Sequence, residues 1–426
     1  MKKLVSILFW SVISAAFIGP GTVTTCIAAG AKHQTQLLWA LIFATIACIM
    51  LQEAAARISI ASGKNLGEAL KQKYNWQEGK QWKLWGLFIA VALGCAAYEA
   101  GNILGAVAGI QLLFDTSQAL LTTGIVLIAT VLLWSGNFKL IANILGGVVA
   151  LMGIAFLALA MQLELNWSNV MLDAVVPTIP QNSYLLVIGL MGTTIVPYNI
   201  FLGSGIGGGQ QLKEMRFGLS VAILLGGLIS ISILLVGTQL VGEVSFQAMA
   251  ETLQQIGGEY TAILLAIGLG AAGLTSSITA PFAAAITAQT LFGRDKYPQN
   301  SWAFRSIWLL ALCIGGFFGV LDVKPIPIII TAQALNGLLL PIITYLLVGL
   351  INDSLLLKQY INKPLANLAI LLVLGISAFL GFLNLAKVAY TLVGLPFQLD
   401  VWLFGLLMLV SLGLVIFAGY QIKQTR

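Results

Sequence analysis

Charge is scarce in this chain of 426 residues: Asp, Glu, Lys and Arg together make up only 8%. A soluble domain carries roughly a quarter charged residues, so this polypeptide cannot clothe a water-facing surface. Histidine occurs once, as His33, and cysteine four times, as Cys26, Cys48, Cys95 and Cys313. The cysteines lie inside apolar runs without paired spacing, which supports neither a zinc site nor a disulfide framework. Long hydrophilic stretches are also lacking; the longest lie near 57–83 and 163–183, too short for a second domain. Soluble enzymes, nucleic-acid-binding proteins and secreted disulfide scaffolds are excluded on these grounds. No Cys–His pair, Ser–Lys dyad, zinc-binding helix or cofactor motif occurs in the apolar runs, so neither an enzyme nor a bound cofactor is expected.

What is present is hydrophobic length. Apolar residues make up 59% of the chain, and the mean hydropathy is +0.97. A helix needs about 20 apolar residues to cross the hydrocarbon core. Twelve such runs recur, near 5–31, 36–56, 84–113, 118–134, 140–162, 184–208, 217–242, 260–292, 306–321, 325–351, 365–386 and 401–421. The pattern predicts an all-α polytopic membrane protein, a single transmembrane domain over 1–426 that sits in the lipid bilayer. Of the 21 Lys and Arg residues, all but Lys32, Lys324 and Lys387 fall on one side of these crossings. Lys and Arg collect on the cytoplasmic side, which predicts a multi-pass protein of the cell membrane with both termini cytoplasmic. The net charge of +6 is therefore a topology signal. The opening Met1-Lys2-Lys3 has the outline of a signal peptide, but the uncharged stretch continues to Ala31, well past a usual signal core.

Two runs are interrupted at their middle. Leu4 to Ala31 as one straight helix would span about 42 Å, too long for the bilayer, and its centre reads Ile18-Gly19-Pro20-Gly21-Thr22. Proline removes a backbone donor and the flanking glycines allow the chain to unwind. The sixth run repeats the pattern as Thr194-Ile195-Val196-Pro197-Tyr198-Asn199. Aligning Pro20 with Pro197 pairs Ile18 with Ile195 and Thr22 with Asn199. Five spans separate the copies, so the second enters from the opposite face. Broken helices at matching positions of inverted halves point to a mid-membrane transport site, since unwound backbone is tolerated there only against protein or a wet cavity. The competing reading is that each proline is a packing kink.

One ionisable residue lies deep in the membrane. Glu99 is 16 residues from Lys83 and 16 from Asp115, which places it at the midplane. An acidic group there costs at least about 2.5 kcal/mol if charged and marks an ion or proton path by default; the alternative is a protonated carboxyl that donates a hydrogen bond to a neighbouring helix. Gly101, Gly105 and Gly109 share one helix face, as expected for close helix packing. Glu53 and Arg57, four apart, form an interfacial ion pair. The glycine-rich run from Gly203 to Gly209 is a hinge or a flexible loop, His33 is a solvated residue of a short external loop, and Trp82, Trp85, Trp134, Trp167 and Trp302 are interfacial anchors.

Several strings resemble the Nramp family of proton-coupled divalent-metal transporters. Pro20-Gly21-Thr22, followed by Leu-Leu-Trp at 37–39, is similar to the family's Asp-Pro-Gly-Asn span. Leu51-Gln52, Ala55-Ala56-Arg57 and Ala61-Ser62-Gly63-Lys64 resemble the end of its second span. Val196-Pro197-Tyr198-Asn199-Ile200-Phe201-Leu202 resembles its Met-Pro-His-Asn-Leu-Phe-Leu string, Ala272 to Thr279 its eighth span, and Gln333 with Leu340-Pro341 its tenth. The resemblance implies a LeuT-type fold: inverted five-helix repeats at 1–162 and 163–351, and two additional helices in 352–426. It further implies a substrate site at Gly19, Thr22, Thr193, Thr194, Val196, Asn199 and Gln333 around the breaks at Pro20, Gly21 and Pro197, and a proton pathway at Tyr98, Glu99 and Asn102.

The family's metal ligands are replaced, however. Gly19 stands at its Asp position, Thr22 at its Asn and Val196 at its Met, and its sixth-span histidines fall at Tyr198 and Gly203. Thr22, Thr193 and Asn199 remain as candidate metal ligands, all of them uncharged oxygens. Oxygen suits hard ions such as Mg²⁺, and soft ligands suit Mn²⁺ and Fe²⁺, so the expected cargo is a harder divalent cation coupled to protons through Glu99. The alternative is a small neutral, zwitterionic or anionic solute held by the bare backbone of Gly19-Pro20-Gly21.

Overall fold

A computed structural model describes residues 6, 10, 18–76, 81–136, 139–206, 208–321, 323–393, 397 and 399–425. Most of the first half of the first span, including Met1-Lys2-Lys3, lies outside the described residues, as does Gly207 of the glycine-rich run. Every regular element among the described residues is helical. In chain order they are α1 (Pro20–His33), α2 (Leu38–Ser62), α3 (Leu66–Tyr74), α4 (Gln81–Gln111), α5 (Gln118–Ser135), α6 (Lys139–Ala160), α7 (Trp167–Val175), α8 (Tyr184–Thr194) and α9 (Pro197–Ile206). There follow α10 (Leu212–Gly237), α11 (Phe246–Gly257), α12 (Glu259–Phe292), α13 (Trp302–Val320), α14 (Pro325–Ile351), α15 (Ser354–Leu357), α16 (Pro364–Leu392) and α17 (Val401–Thr425).

Eleven segments are long and apolar enough to cross a membrane, with α8 and α9 forming one of them. They agree with the second to twelfth predicted spans, and α1 is the second half of the first. The broken pair α8–α9 is the most enclosed: 94% of its apolar window is buried, against 17% for α17 at the periphery. Unwound backbone is thus kept away from lipid, as its unpaired polar groups require.

Small residues set the helix spacing around the breaks. A Cβ at Gly109 would stand 2.7 Å from the Ala266 carbonyl oxygen of α12, and one at Gly273 would stand 2.6 Å from the Asn102 carbonyl oxygen of α4. Gly105 is so close to Pro20 that a side chain would collide with the proline ring, whereas Gly101 makes an ordinary contact with Ile329. The glycine face of α4 is therefore a packing face, and it seats the first break. The 203–209 run divides: Gly203 to Ile206 close α9, and a turn follows at Gly208–Gly209.

The helix ends show what the hydropathy pattern misses. Between the spans stand three amphipathic helices: α3, opened by a reciprocal Asn65–Glu68 capping box, α7, capped by Asn166, and α11, capped by Ser245. Such caps satisfy the orphan amides of the first turn. Helix α2 runs on to Ser62, beyond the predicted end near 56, because Arg57 is absorbed: its guanidinium lies 3.3 Å from Glu53 and donates to the Tyr360 carbonyl at 2.9 Å and to Asn362 Oδ1 at 2.5 Å. Glu53 also pairs with Arg216 of α10 at 2.8 Å. The predicted ion pair is therefore the start of a buried network joining three elements. His33 closes α1 as its last residue and is half-buried, so it does not stand in an open loop. The tryptophans predicted as anchors are exposed, from 39% at Trp85 to 70% at Trp82.

Candidate functional site

At the first break Gly19 is extended (φ −128°, ψ −175°), and Pro20 begins α1. The Val23 amide donates to the Gly19 carbonyl at 3.1 Å, closing the first turn. At the second break α8 ends at Thr194, Ile195 turns out of helical geometry (φ −101°, ψ 82°), and Pro197 begins α9. Proline is well suited to open a helix, because its missing amide would be an orphan there anyway. Both restarts thus follow from the same residue type at the same relative position.

The two breaks meet. The hydroxyls of Thr22 and Thr193 are hydrogen-bonded to each other, and both residues are buried. Helix α14 lies across the pair. A side chain at Gly21 would run into the Gln333 amide, and one at Gly192 would strike the Gln333 carbonyl and stand 2.8 Å from the Gly337 nitrogen. Thr22, Thr193 and Gln333 are thereby brought into one locus. Thr194 differs: its hydroxyl donates back to the Leu190 carbonyl of its own helix at 3.1 Å. Val196 is fully buried. Asn199, one turn into α9, is 1% exposed, and neither its amide oxygen nor its amide nitrogen has a hydrogen-bond partner. The side-chain amide oxygen Oε1 of Gln333 and the Tyr198 hydroxyl are orphaned in the same way. Buried polar groups without partners are uncommon and costly, and their concentration here is what a polar ligand would relieve.

Helix α4 supplies the third wall. The Tyr98 hydroxyl donates to the Gly192 carbonyl at 2.8 Å, beside the second break, and its ring meets Tyr198 edge-on at 5.8 Å. Tyr98 is therefore a strut between α4 and α8. Glu99 points to the other flank. It is fully buried, its stem packs on Gly315 of α13, and Asn102 and Ser277 lie beside its carboxyl. Asn102 and Ser277 are its hydrogen-bonding neighbours, although the Glu99 carboxyl oxygens, Asn102 Nδ2 and Ser277 Oγ do not meet strict hydrogen-bond geometry.

Sequence reasoning passed over Ser276 and Ser277 of α12 and the buried Gln52 of α2, whose two amide atoms are both unpartnered. No group of three or more His, Cys, Asp or Glu side chains suited to a metal ion occurs among the described residues. The donors near the breaks are hydroxyl, amide and main-chain oxygens, with Glu99 standing apart.

Comparison with known proteins agrees with this architecture. Curated relatives carry the name divalent metal cation transporter MntH. The protein of Verminephrobacter eiseniae is 26% identical over 409 residues, 90% of each chain; that of Yersinia pestis is 26% identical over 393 residues, 87% of this chain and 92% of the relative; that of Caldanaerobacter subterraneus is 25% identical over 402 residues, 90% and 92%. Among solved structures, the Eremococcus coleocola manganese transporter in complex with an aromatic bis-isothiourea compound superposes with a TM-score of 0.73 at 18% identity, covering 100% of this chain and 96% of that one. The inward-facing conformation of Mhp1 superposes at 0.51 with 14% identity, covering 98% and 90%. At these identities the structures establish a shared fold, the LeuT-type arrangement that the family resemblance implied. The family model described as natural resistance-associated macrophage protein-like matches residues 11–388, a range that takes in both breaks and the helices packed on them, and the chain belongs to this Nramp family.

Proposed function

We propose that the chain is a secondary active transporter of a divalent metal cation, working by alternating access around the locus where Thr22, Thr193, Asn199 and Gln333 converge. The relatives' printed names support the metal, and the contact between two broken helices supports the mechanism, since such breaks expose main-chain oxygens at membrane depth. The observation that carries the choice of ion is the donor set. Its ligands are uncharged oxygens without thioether or imidazole, which favours a hard ion that keeps part of its water shell, Mg²⁺ over Mn²⁺ or Fe²⁺. Glu99, fully buried at the far flank of the first break, is the proposed point of proton exchange. The Lys and Arg bias supports a cell-membrane location with both termini cytoplasmic.

A second reading follows from one feature of the same locus: it holds no carboxylate. A small neutral, zwitterionic or anionic solute resting on the Gly19–Gly21 backbone would meet no repelling side chain. Uptake of Mg²⁺, Mn²⁺ and amino acids into vesicles containing the purified protein separates the two. Mg²⁺ flux lost in Thr22→Ala and in Asn199→Ala supports the metal reading. Solute flux without metal flux replaces it, and no flux of any kind overturns both.

A further inference from the structure

Two of the three basic residues on the sparsely charged side of the crossings, Lys32 and Lys324, meet at one cavity. It has a volume of about 440 Å³ and is lined by Ala28 and Lys32 of α1, Glu243 and Val244 of the loop before α11, and Lys324 and Ile330 at the start of α14. Its floor lies over the two breaks. Ile330 is three residues from Gln333 and Ala28 six from Thr22, about 4.5 Å and 9 Å along their helices, and both are buried. Beneath them the helices close: a Cβ at Gly189 of α8 would stand 3.3 Å from Thr25 Cγ2 and 3.7 Å from the Ile330 carbonyl oxygen. The cavity therefore ends about one turn short of the transport locus. Among the described residues that line it, the charged ones are Lys32, Lys324 and Glu243, so the balance is positive. Lys324 Nζ lies 3.7 Å from Glu243 Oε1, and the two side chains are 84% and 86% exposed. So loose and exposed a pair contributes little and does not cancel Lys32. Nothing in the site at Thr22 and Thr193 uses these three side chains.

We infer that Lys32 and Lys324 determine charge specificity at the outer entrance, where they set a positive potential that slows the capture of cations and that Glu243 only partly offsets. That the cavity is an entrance rests on the transport reading; its charge selectivity rests on the three side chains alone. Charges around a cleft with low-dielectric walls change the local concentration of ions and therefore the on-rate, and rim charges act on association and its salt dependence more than on the bound state. The barrier scales with the charge of the ion. Mg²⁺ is held back more than a monovalent cation, a neutral solute passes unaffected, and an anion is drawn in. The locus below is built of uncharged oxygens and contributes no such field, so the sign preference of the path is set at its mouth. Glu243 is the carboxylate of the lining that can receive a cation, and Lys324 competes with the ion for it. Loss of Lys324 frees Glu243, whereas loss of Glu243 leaves both lysines unopposed. The two changes therefore move cation capture in opposite directions.

The first test reads the potential without any flux. In the purified full-length protein in detergent, Val244→Cys places a thiol in the cavity wall. The background is Cys313→Ser, because Cys313 is exposed while Cys26, Cys48 and Cys95 are buried. The thiol is reacted in turn with an anionic sulfonate and a cationic trimethylammonium methanethiosulfonate, and the ratio of the two rates cancels its intrinsic reactivity. The anionic reagent should react faster by at least about threefold at low ionic strength, and the preference should shrink in high salt. It should vanish when Lys32→Gln and Lys324→Gln are combined and grow in Glu243→Gln. Equal rates in the parent, or a preference that survives loss of both lysines, overturns the inference. The second test needs no introduced cysteine. In vesicles, Mg²⁺ uptake at subsaturating concentration should rise about threefold in Lys324→Gln and fall about as far in Glu243→Gln, with maximal rates unchanged. Uptake equal in wild type and both variants overturns the inference as well. Absence of Mg²⁺ uptake alongside an intact reagent preference would leave the charge selectivity standing and remove the metal reading instead.

Discussion

The Thr22 hydroxyl is hydrogen-bonded to the Thr193 hydroxyl, across 171 residues of sequence. The bond joins the first turn after one break to the last turn before the other, and it does so where both chains are buried. Two uncharged hydroxyls facing each other are a pair of adjustable oxygens: each can donate to the other when the site is empty and turn its lone pairs to a cation when it is filled. This pairing predicts strong non-additivity. Thr22→Val and Thr193→Val each remove one hydroxyl of a buried hydrogen-bonded pair, a cost of about 1–3 kcal/mol. The double variant removes both and should be destabilised by less than the sum of the singles, yet transport should be lost in all three. Thermal unfolding in detergent together with Mg²⁺ uptake checks both parts, and strict additivity would show that the pair is not coupled.

A second prediction separates two glycines that touch the same residue. A side chain at Gly192 meets the Gln333 carbonyl and the Gly337 nitrogen, which are backbone atoms, whereas one at Gly21 meets the end of the Gln333 side chain. Backbone cannot rotate away, so Gly192→Ala should displace α14 from α8 and cost more than the 1–3 kcal/mol usual for overpacking, lowering the yield of folded protein. Gly21→Ala should fold, push the Gln333 amide aside and reduce Mg²⁺ uptake. Expression level and uptake of the two variants distinguish the outcomes, and equal behaviour would contradict this account of the contacts.

Much of this arrangement is legible in the sequence. The spans follow from long uncharged runs, and both breaks from proline beside glycine or polar residues at matching places. The short helices α3, α7 and α11 escape a hydropathy reading because they are amphipathic and brief; their legible signals are the caps Asn65, Asn166 and Ser245. Ser276 and Ser277 escape for a different reason. A hydroxyl in an apolar helix most often bonds back to its own main chain, as Thr275, Thr287 and Thr290 do here. Only the proximity of Gly19 and Glu99 sets these two serines apart, and proximity between distant segments is not written in local sequence. Tyr98 shows the same limit: its hydroxyl reaches across to the Gly192 carbonyl, a contact between distant segments that local sequence does not record.

Glu99 gives a third prediction, on pH. Deprotonated, the carboxylate puts a negative charge in a fully buried position; protonated, it is neutral. Acidification therefore shifts the residue toward the neutral form, and transport coupled to that step should vary with pH. Glu99→Gln holds the position permanently neutral at nearly the same shape. The variant should bind Mg²⁺ as the wild type does, while its uptake becomes flat with pH. Uptake measured across a pH series in vesicles decides the matter, and a pH profile unchanged from wild type would remove Glu99 from the coupling step.

The fourth prediction concerns the network at the Lys- and Arg-rich end. Arg57 is 5% exposed and binds Glu53, the Tyr360 carbonyl and Asn362, while Asn362 donates to Asn367 at 3.0 Å and Asn367 donates to Asn352 at 2.7 Å. The chain of bonds ties α2 to the segment that links α14 with α16, and through Glu53 and Arg216 to the start of α10. Removing one partner of a buried ion pair leaves the other uncompensated, typically at 3–5 kcal/mol. Glu53 keeps Arg216, at 2.8 Å, so the loss in Arg57→Ala should fall toward the low end, about 3 kcal/mol. Glu53→Ala strands both Arg57 and Arg216, but Arg216 is 53% exposed in its side chain and can turn to water. The two variants should therefore lower the unfolding temperature by similar amounts. Arg57→Lys should recover little, since an ammonium cannot span a carboxylate, a carbonyl and an amide with the fixed fork of a guanidinium. Thermal melts of the three variants test the account; a lysine variant as stable as wild type would reduce the network to a single exchangeable charge.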